Sequence, residues 1–468
     1  MDEAALHQLL IISQVLYFVC FMVMFYFLTR KVNWVDSSRL SGIIPRDMPR
    51  IVLLYPVLHE NEETMHSTMV SLEKMDYPIN KYRIIAVPNS DDADTIAALR
   101  HLQLEFPFLE ILEVPGTDDP SWDVIWQAWE NNPRAYWWHQ GKTKRDRNLP
   151  PKKTRQLTYA FYTLVAQDGA DWVLDYIDAD SITPANHFKL VAAGLQDYDV
   201  LQSTNVVGNL LDTPATSLHA HDHMIWDGLV YPHMSANGKH PFYVLGKGTF
   251  FKASDLVDLG GFNPWITIED PEVGMRFWVN GKRLGIIAEP LIEEVPQTFK
   301  GGIIQRNRWM CGFFQSLSKP LKQMGMRFWQ RQLARVNLMP TLSLLINIIG
   351  LPTGAYAIYR FVAGIGPFSW WLVVLSLTNI ALYLALMGII YTSTWKRTKL
   401  VLSSVSSRIW YMLRINPLFL FLYWLLWAIP IITGFGMFLA GKGRVWKRTD
   451  KVDADRRFVH KPGAQQYS

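Results

Sequence analysis

Cysteine is nearly absent from this chain: Cys20 and Cys311 are the whole supply in 468 residues. They lie far apart in sequence, the first inside an apolar run, so neither a disulfide framework nor a cysteine-based zinc site is expected. There is no internal repeat and no low-complexity segment. A cleavable leader is also missing its marks. The first apolar run has too long a core, is preceded by Asp2 and Glu3, and is followed by no small-residue cleavage site. It reads as an anchor.

What is abundant is apolar and aromatic side chains, 49% and 13% of the chain, high for a soluble enzyme. Leu9–Leu28 is almost unbroken and of spanning length, and three further runs cover 336–359, 368–391 and 416–440. The stretch between is normally polar and holds nearly all the carboxylates. The expected division is an anchor at 1–30, an α/β domain at 47–300 with a Trp-rich insertion at 115–152, amphipathic interface helices at 301–335, membrane helices at 336–440 and a basic tail at 441–468.

The net charge of +5 raises nucleic acid as a partner, but Lys and Arg gather beside the apolar runs, where membrane topology places them. The partner expected is the lipid bilayer and not nucleic acid. Arg30, Lys31, Arg39, Arg46 and Arg50 place the polar domain in the cytosol of a multi-pass cell-membrane protein. Three later spans then put the tail outside, whereas Lys442, Arg444, Lys447 and Arg448 argue for inside; a late segment that is re-entrant or split near Pro430 reconciles the two.

Within the polar domain, Ile51–Tyr55, Tyr82–Val87 and Leu109–Val114 carry strand signals, separated by helical patterns at Met65–Met75 and Thr95–Leu104. Alternating β and α predicts a parallel sheet with ligands beyond the carboxyl ends of its strands. The insertion brings Trp122, Trp126, Trp129, Trp137 and Trp138, which suit a small helical subdomain packing its own indoles better than a sugar platform. A helix over Thr154–Gln167 and a strand over Trp172–Ile177 follow.

Three clusters carry chemistry. Asp178-Ala179-Asp180 ends a strand, and carboxylates two apart point the same way and together meet one hard cation; the pair also suits a solvated turn. Glu269-Asp270 precedes a helix, where Asp270 could take a proton from a hydroxyl or simply cap the helix. In Gln305-Arg306-Asn307-Arg308-Trp309, Gln305 and Arg308 share a helix face, Arg308 suits phosphate oxygens and Trp309 a sugar ring; an interfacial Arg/Trp anchor has the same look. His219, His221 and His223 alternate as strand residues do and resemble a metal cluster, but without an accompanying carboxylate pattern they read as structural, as His59 reads as a loop hydrogen-bonder.

In this order, the three clusters and the following spans resemble the processive members of glycosyltransferase family 2, the cellulose, chitin and hyaluronan synthases, over about residues 50–440. The resemblance implies a GT-A-type, Rossmann-like α/β cytosolic domain joined to an α-helical transmembrane region. It implies that Asp178 and Asp180 hold Mg²⁺ or Mn²⁺ with the donor diphosphate and that Asp270 is the general base. Gln305 and Arg308 bind the nucleotide sugar, and Glu269 and Trp309 the acceptor. Glu60, in a Pro56-Val57-Leu58-His59-Glu60 loop for which Asn61-Glu62 offers another register, and Lys153 join the nucleotide contacts. Where relatives show paired acids, this chain has Pro88-Asn89-Ser90 with Asp91 and Asp92 displaced, and Asp91 is carried as a nucleotide contact. Lys247 in Gly246-Lys247-Gly248-Thr249 is unusual for a loop of small residues.

The function implied is inverting transfer from a nucleotide sugar, UDP-linked ahead of GDP-linked, to a carbohydrate acceptor that grows as a β-linked extracellular or capsular polysaccharide. Transfer of one sugar to a membrane lipid is the alternative, and a non-catalytic membrane scaffold a further one. Polar lining for a product path is sparse, with Thr341, Ser343, Asn347, Thr353, Ser376, Thr378, Asn379 and Tyr383 as candidates. Four spans are narrow unless the protein self-associates as a homo-oligomer.

Overall fold

The computed structural model describes residues 3–441 except Ile43, Pro45, Arg46, 236–239 and Pro367. The basic tail from 442 onward lies outside the described residues. Among the described residues eight strands form one sheet: β1 (Trp34–Val35), β2 (Ile51–Pro56), β3 (Tyr82–Val87), β4 (Leu109–Ile111), β5 (Val173–Tyr176), β6 (Val200–Val207), β7 (Thr249–Lys252) and β8 (Leu284–Glu293). Their order is β1-β8-β6-β7-β5-β2-β3-β4.

Period-two alternation explains the layers. Leu53, Tyr55, Ile84 and Ala86 enter one core with Met65, Met69, Leu72 and Leu99 of the flanking helices, while Val52, Leu54, Ile85 and Val87 enter the other with Leu157 and Phe161. Strands covered on both faces are apolar throughout, which is why these runs do not alternate with polar residues.

The expectation of a parallel sheet needs one correction: β7 is antiparallel to both β5 and β6. The chain leaves the carboxyl end of β6, folds into helices there and re-enters at the same end, so the next strand must run back. This reversal brings Gly246–Gly248, at the start of β7, beside the carboxyl ends of its neighbours.

The histidine trio is a second correction. Pro214–Ile225 is a helix, entered through a capping box between Thr213 and Thr216 with Pro214 in the first turn, so residues two apart diverge. His219 bonds the Tyr423 hydroxyl at 2.9 Å and the Thr298 carbonyl at 3.2 Å, and His221 meets Thr394 at 3.2 Å. Burial holds both imidazoles down at about 3, hence neutral.

The insertion's five indoles are buried, with Trp122 stacked on Trp126 and Trp126 on Trp138, each at 5.4 Å between ring centroids. They pack over Tyr159 and Tyr162 of the helix Lys153–Asp168.

Among the described residues four helical segments are long and apolar enough to cross a membrane: Glu3–Leu28, Met339–Val362, Trp370–Thr398 and Pro417–Leu439. The last is jointed at Trp427 between helices Pro417–Leu426 and Ala428–Leu439, where Pro430 has no N–H to offer the Leu426 carbonyl. A bridging helix, Phe299–Ser316, lies along Ala428–Leu439. Asn307 accepts from the Thr433 hydroxyl at 2.6 Å, and Arg306 donates to Asp222 at 2.8 Å while lying 4.9 Å from the Trp427 ring centroid.

Gly434 sets the closeness of this contact, since a Cβ there would lie 2.6 Å from the Met310 Cβ and 3.0 Å from the Asn307 carbonyl. Gly434→Val should therefore lower the melting temperature of the detergent-solubilised protein, while Gly436→Val, with nothing within 4 Å of its Cβ position, should not. Equal melting of the two variants would show that the helices do not rely on this approach.

Candidate functional site

The sheet's carboxyl end opens into a cavity of about 450 Å³. The loop after β5 supplies Asp178 and Asp180, and it is pinned from both sides. The Ala179 carbonyl accepts from the Tyr55 hydroxyl at 2.7 Å and the Thr68 hydroxyl at 2.8 Å, and Asp180 accepts from the Glu294 amide at 3.2 Å. Lys153, opening its helix, donates to Asp178 at 2.6 Å and to the Gly246 carbonyl at 2.6 Å. Its ammonium is disfavoured by burial, but Asp178, Glu269 and Asp270 more than compensate and raise its pKa.

Glu269 and Asp270 open the helix Asp270–Val279. Glu269 occupies the N-cap position but makes no capping bond, and its Oε1 has no hydrogen-bond partner among the described residues. Capping therefore does not explain this pair. Burial first, and the neighbouring Glu269 charge second, push Asp270 up to about 8; burial also raises Glu269.

On the bridging helix, Thr298 caps the start by accepting from the Gly301 amide at 3.1 Å. Gln305, Arg308 and Trp309 line the cavity, and Arg308 lies within electrostatic reach of Asp178. Arg306 and Asn307, between them, are held by Asp222 and Trp427 and by Thr433. Glu60 also lines the cavity. The structure thus gathers Glu60, Lys153, Asp178, Asp180, Glu269, Asp270, Gln305, Arg308 and Trp309 around one space.

Asp91 is not among them. It is exposed and outside the cavity lining, while Asp92 beside it is buried, caps the helix Ala93–Glu105 and accepts from the His59 amide at 2.7 Å. His59 turns outward with φ 52°, a loop residue as expected. At the end of β3 the buried side chain is Asn89, held by Arg155 at 2.8 Å.

Sequence reasoning passed over Lys152, Asp227 and Glu293, all in the cavity wall, and set His223 aside as structural although it also lines the wall. Lys247 pairs with Glu293; burial, softened by that ammonium, leaves the Glu293 carboxyl at about 7. No spacing rule joins residues 247 and 293, which meet only because β7 is reversed. The cavity continues between the apolar helices, where Tyr17, Thr341, Ser343, Asn347 and Tyr383 line it together with apolar side chains. Thr353, Thr378 and Asn379 instead bond within or between helices.

Among the described residues no group of three or more His, Cys, Asp or Glu could hold a metal ion alone. Two carboxylates, Asp178 and Asp180, are a fitting protein share for Mg²⁺ or Mn²⁺ that completes its shell with phosphate oxygens and water.

Residues 172–439, more than half of the chain, match the sequence model of a family described as Glycosyl transferase family group 2. A probable glycosyltransferase of Sulfolobus acidocaldarius is 32% identical over 84 residues, which cover 18% of this chain and 18% of that protein. Among solved structures, the mannosyltransferase PcManGT from Pyrobaculum calidifontis, in complex with GDP-Man and Mn²⁺, aligns with 93% of this chain and 99% of its own at 16% identity and a TM-score of 0.50. TarS 1–349 of S. aureus in complex with UDP-GlcNAc aligns with 87% of this chain and 95% of its own, at 11% identity and a TM-score of 0.37. The first likeness is one of fold. The mixed sheet with its helices is of GT-A type.

Gly246 has φ 70°, and a Cβ there would stand 2.9 Å from the Asp270 carboxyl carbon. Gly246→Ala should cost about 1–3 kcal/mol of stability from backbone strain. It should also displace Asp270, seen as a lower melting temperature together with altered titration of activity. An unchanged melting temperature would show that the loop yields freely.

Proposed function

The chain belongs to glycosyl transferase family group 2, and on that premise we propose that it is a membrane-embedded, processive, inverting enzyme extending a β-linked polysaccharide from a cytosolic nucleotide sugar. The observation that carries this reading is the single cavity. It joins Asp178, Asp180, Asp270, Gln305, Arg308 and Trp309 at the sheet end to a space between the apolar helices. UDP-linked donors are favoured over GDP-linked ones from the resemblance to the synthases.

In this reading Asp178 and Asp180 hold Mg²⁺ or Mn²⁺, which when bound neutralises charge on the donor diphosphate. Arg308 and Gln305 bind the diphosphate, while Lys153 and Glu60 hold the rest of the nucleotide. Trp309 presents its face to the acceptor sugar, and Glu269 positions the acceptor. Asp270 takes the proton from the acceptor hydroxyl. The acceptor oxygen forms its bond to the anomeric carbon as the bond to the diphosphate breaks, and the electron pair leaves with the nucleoside diphosphate. One displacement inverts the centre, so an α-linked donor gives a β-linkage.

A second reading, one sugar transferred to a lipid, has its own support: Phe21, Met24, Leu344, Leu386, Met387 and Ile390 make much of the deeper lining apolar. Product length separates the two. Limiting enzyme with excess donor should give long chains beside unused acceptor, and Trp309→Ala should shorten or abolish them. A single sugar on an extractable lipid, unchanged with time, would decide for the lipid.

Asp270→Asn should retain nucleotide binding and lose transfer by about 10²-fold or more, and near-normal transfer would remove Asp270 from the base role. Because the base must be unprotonated, and its carboxyl lies up at about 8, activity should rise as pH increases through the neutral range. Glu269→Gln removes a charge that raises Asp270, so the acid limb of kcat/KM should move to lower pH even as the maximal rate falls. A limb that stays in place would show that another group governs it. Chelation should abolish transfer, with Mg²⁺ or Mn²⁺ restoring it; full activity in chelator would exclude the cation.

A further inference from the structure

The wall of the cavity beside Trp309 is built from buried polar groups that none of these roles uses. Helix Pro214–Ile225 runs directly into a π-helical turn, Trp226–Val230, and this turn carries Asp227. Such turns widen the backbone ring at a cost in hydrogen-bond geometry and persist where the structure around them requires it. Here the brace is visible. A Cβ at Gly228 would stand 2.4 Å from the Arg397 Nε, so the glycine lets the guanidinium lie against the turn. Arg397, at the end of an apolar helix, donates to the Asn205 carbonyl at 2.7 Å, and the Asn205 amide donates to Asp227 at 3.2 Å.

Three side chains on this wall are more than nine-tenths buried, His223 at 7%, Asp227 at 6% and Glu293 at 4% exposure, yet all line the cavity. His223 places Nδ1 3.7 Å from the Asp227 carboxylate, and its ring centroid is 5.3 Å from that of Trp309. The His223 Nε2 and the Glu293 Oε1 have no hydrogen-bond partner among the described residues. Buried polar atoms left without a partner carry a desolvation cost that a ligand can relieve.

We propose that His223, packed edge-on against the Trp309 ring, together with Asp227 and Glu293 forms a subsite that binds the hydroxyl groups of a neutral acceptor sugar. The proposal rests on the transferase reading above and names the acceptor class for it. Carboxylates accept from vicinal hydroxyls, the imidazole serves as donor or acceptor, and the indole beside it borders the subsite with an apolar edge. Lys247, paired with Glu293, keeps that carboxylate oriented. Within the subsite Asp227 and Glu293 set two carboxylates against the one ammonium of Lys247, so a uronic acid seated there meets net negative charge. The subsite thus selects against acidic acceptors as well as for hydroxyls.

The test uses full-length protein in lipid nanodiscs. A donor is first chosen from UDP- and GDP-sugars by nucleotide release. Acceptors are fluorescent β-linked disaccharide glycosides of glucose, mannose and N-acetylglucosamine, and the same compounds ending in a uronic acid. Asp227→Asn and His223→Gln should raise the concentration of the best neutral acceptor needed for half-maximal transfer by about tenfold, the scale of one charge-assisted hydrogen bond. Nucleotide affinity by calorimetry should stay within about twofold, which also reports folding. If Asp227→Asn does not fold, His223→Gln decides. A fall in maximal rate at unchanged half-saturation, a loss of nucleotide affinity in a folded variant, or equal use of neutral and uronic-acid acceptors by the parent protein would each overturn the subsite. A parent protein that releases no nucleotide from any donor would instead sink the transferase reading itself.

Discussion

The contact on which the cavity depends is the ammonium of Lys153, 2.6 Å from both Asp178 and the Gly246 carbonyl. Asp178, Asp180, Glu269, Asp270 and Glu293 face one small space, and buried carboxylates at such density repel one another or take up protons. Lys153 sits among three of them, and Lys247 answers Glu293. The lysine also ties together three separate pieces of chain: the start of its own helix, the loop after β5 and the turn before β7. Removing one member of a buried set like this leaves an uncompensated charge, which costs far more than the intact pair contributes.

The elements most legible in the sequence were those whose signal is local. β2 is an unbroken apolar run and β3 is apolar from Ile84 to Val87, the look of strands covered on both faces. Asp178-Ala179-Asp180 and Glu269-Asp270 stood out because the two acids of each pair lie within three residues at an element boundary. What stayed hidden was set by topology. The reversal of β7 depends on where the chain re-enters the sheet, and with it the pairing of Lys247 with Glu293. The histidine trio misled because alternation over five residues fits a strand, while the capping box at Thr213 and Thr216 that makes the segment a helix lies a few residues upstream. Asp91 was carried over from a family pattern although Asn89, its neighbour two residues back, holds the buried position at the end of β3.

The bridging helix shows why a short motif can mix residues of unlike purpose. Gln305, Arg308 and Trp309 are spaced i, i+3, i+4 and share the face toward the cavity, whereas Arg306 and Asn307 turn toward the apolar helices and Met310, at the edge of the cavity, meets Gly434. Two of the three residues lying between or beside the cavity-facing ones are thus fixed by hydrogen bonds to other elements, and the third by the close approach at Gly434. A helix that meets a buried site on one side and an apolar bundle on the other has no solvated face in this segment. Its register is then set twice, once by each neighbour, and a rotation that suited one would break the other. The geometry of the cavity is in this way tied to the packing of the apolar helices, and movement of the jointed segment at Trp427 would reach Trp309 through Arg306, whose guanidinium lies over both rings.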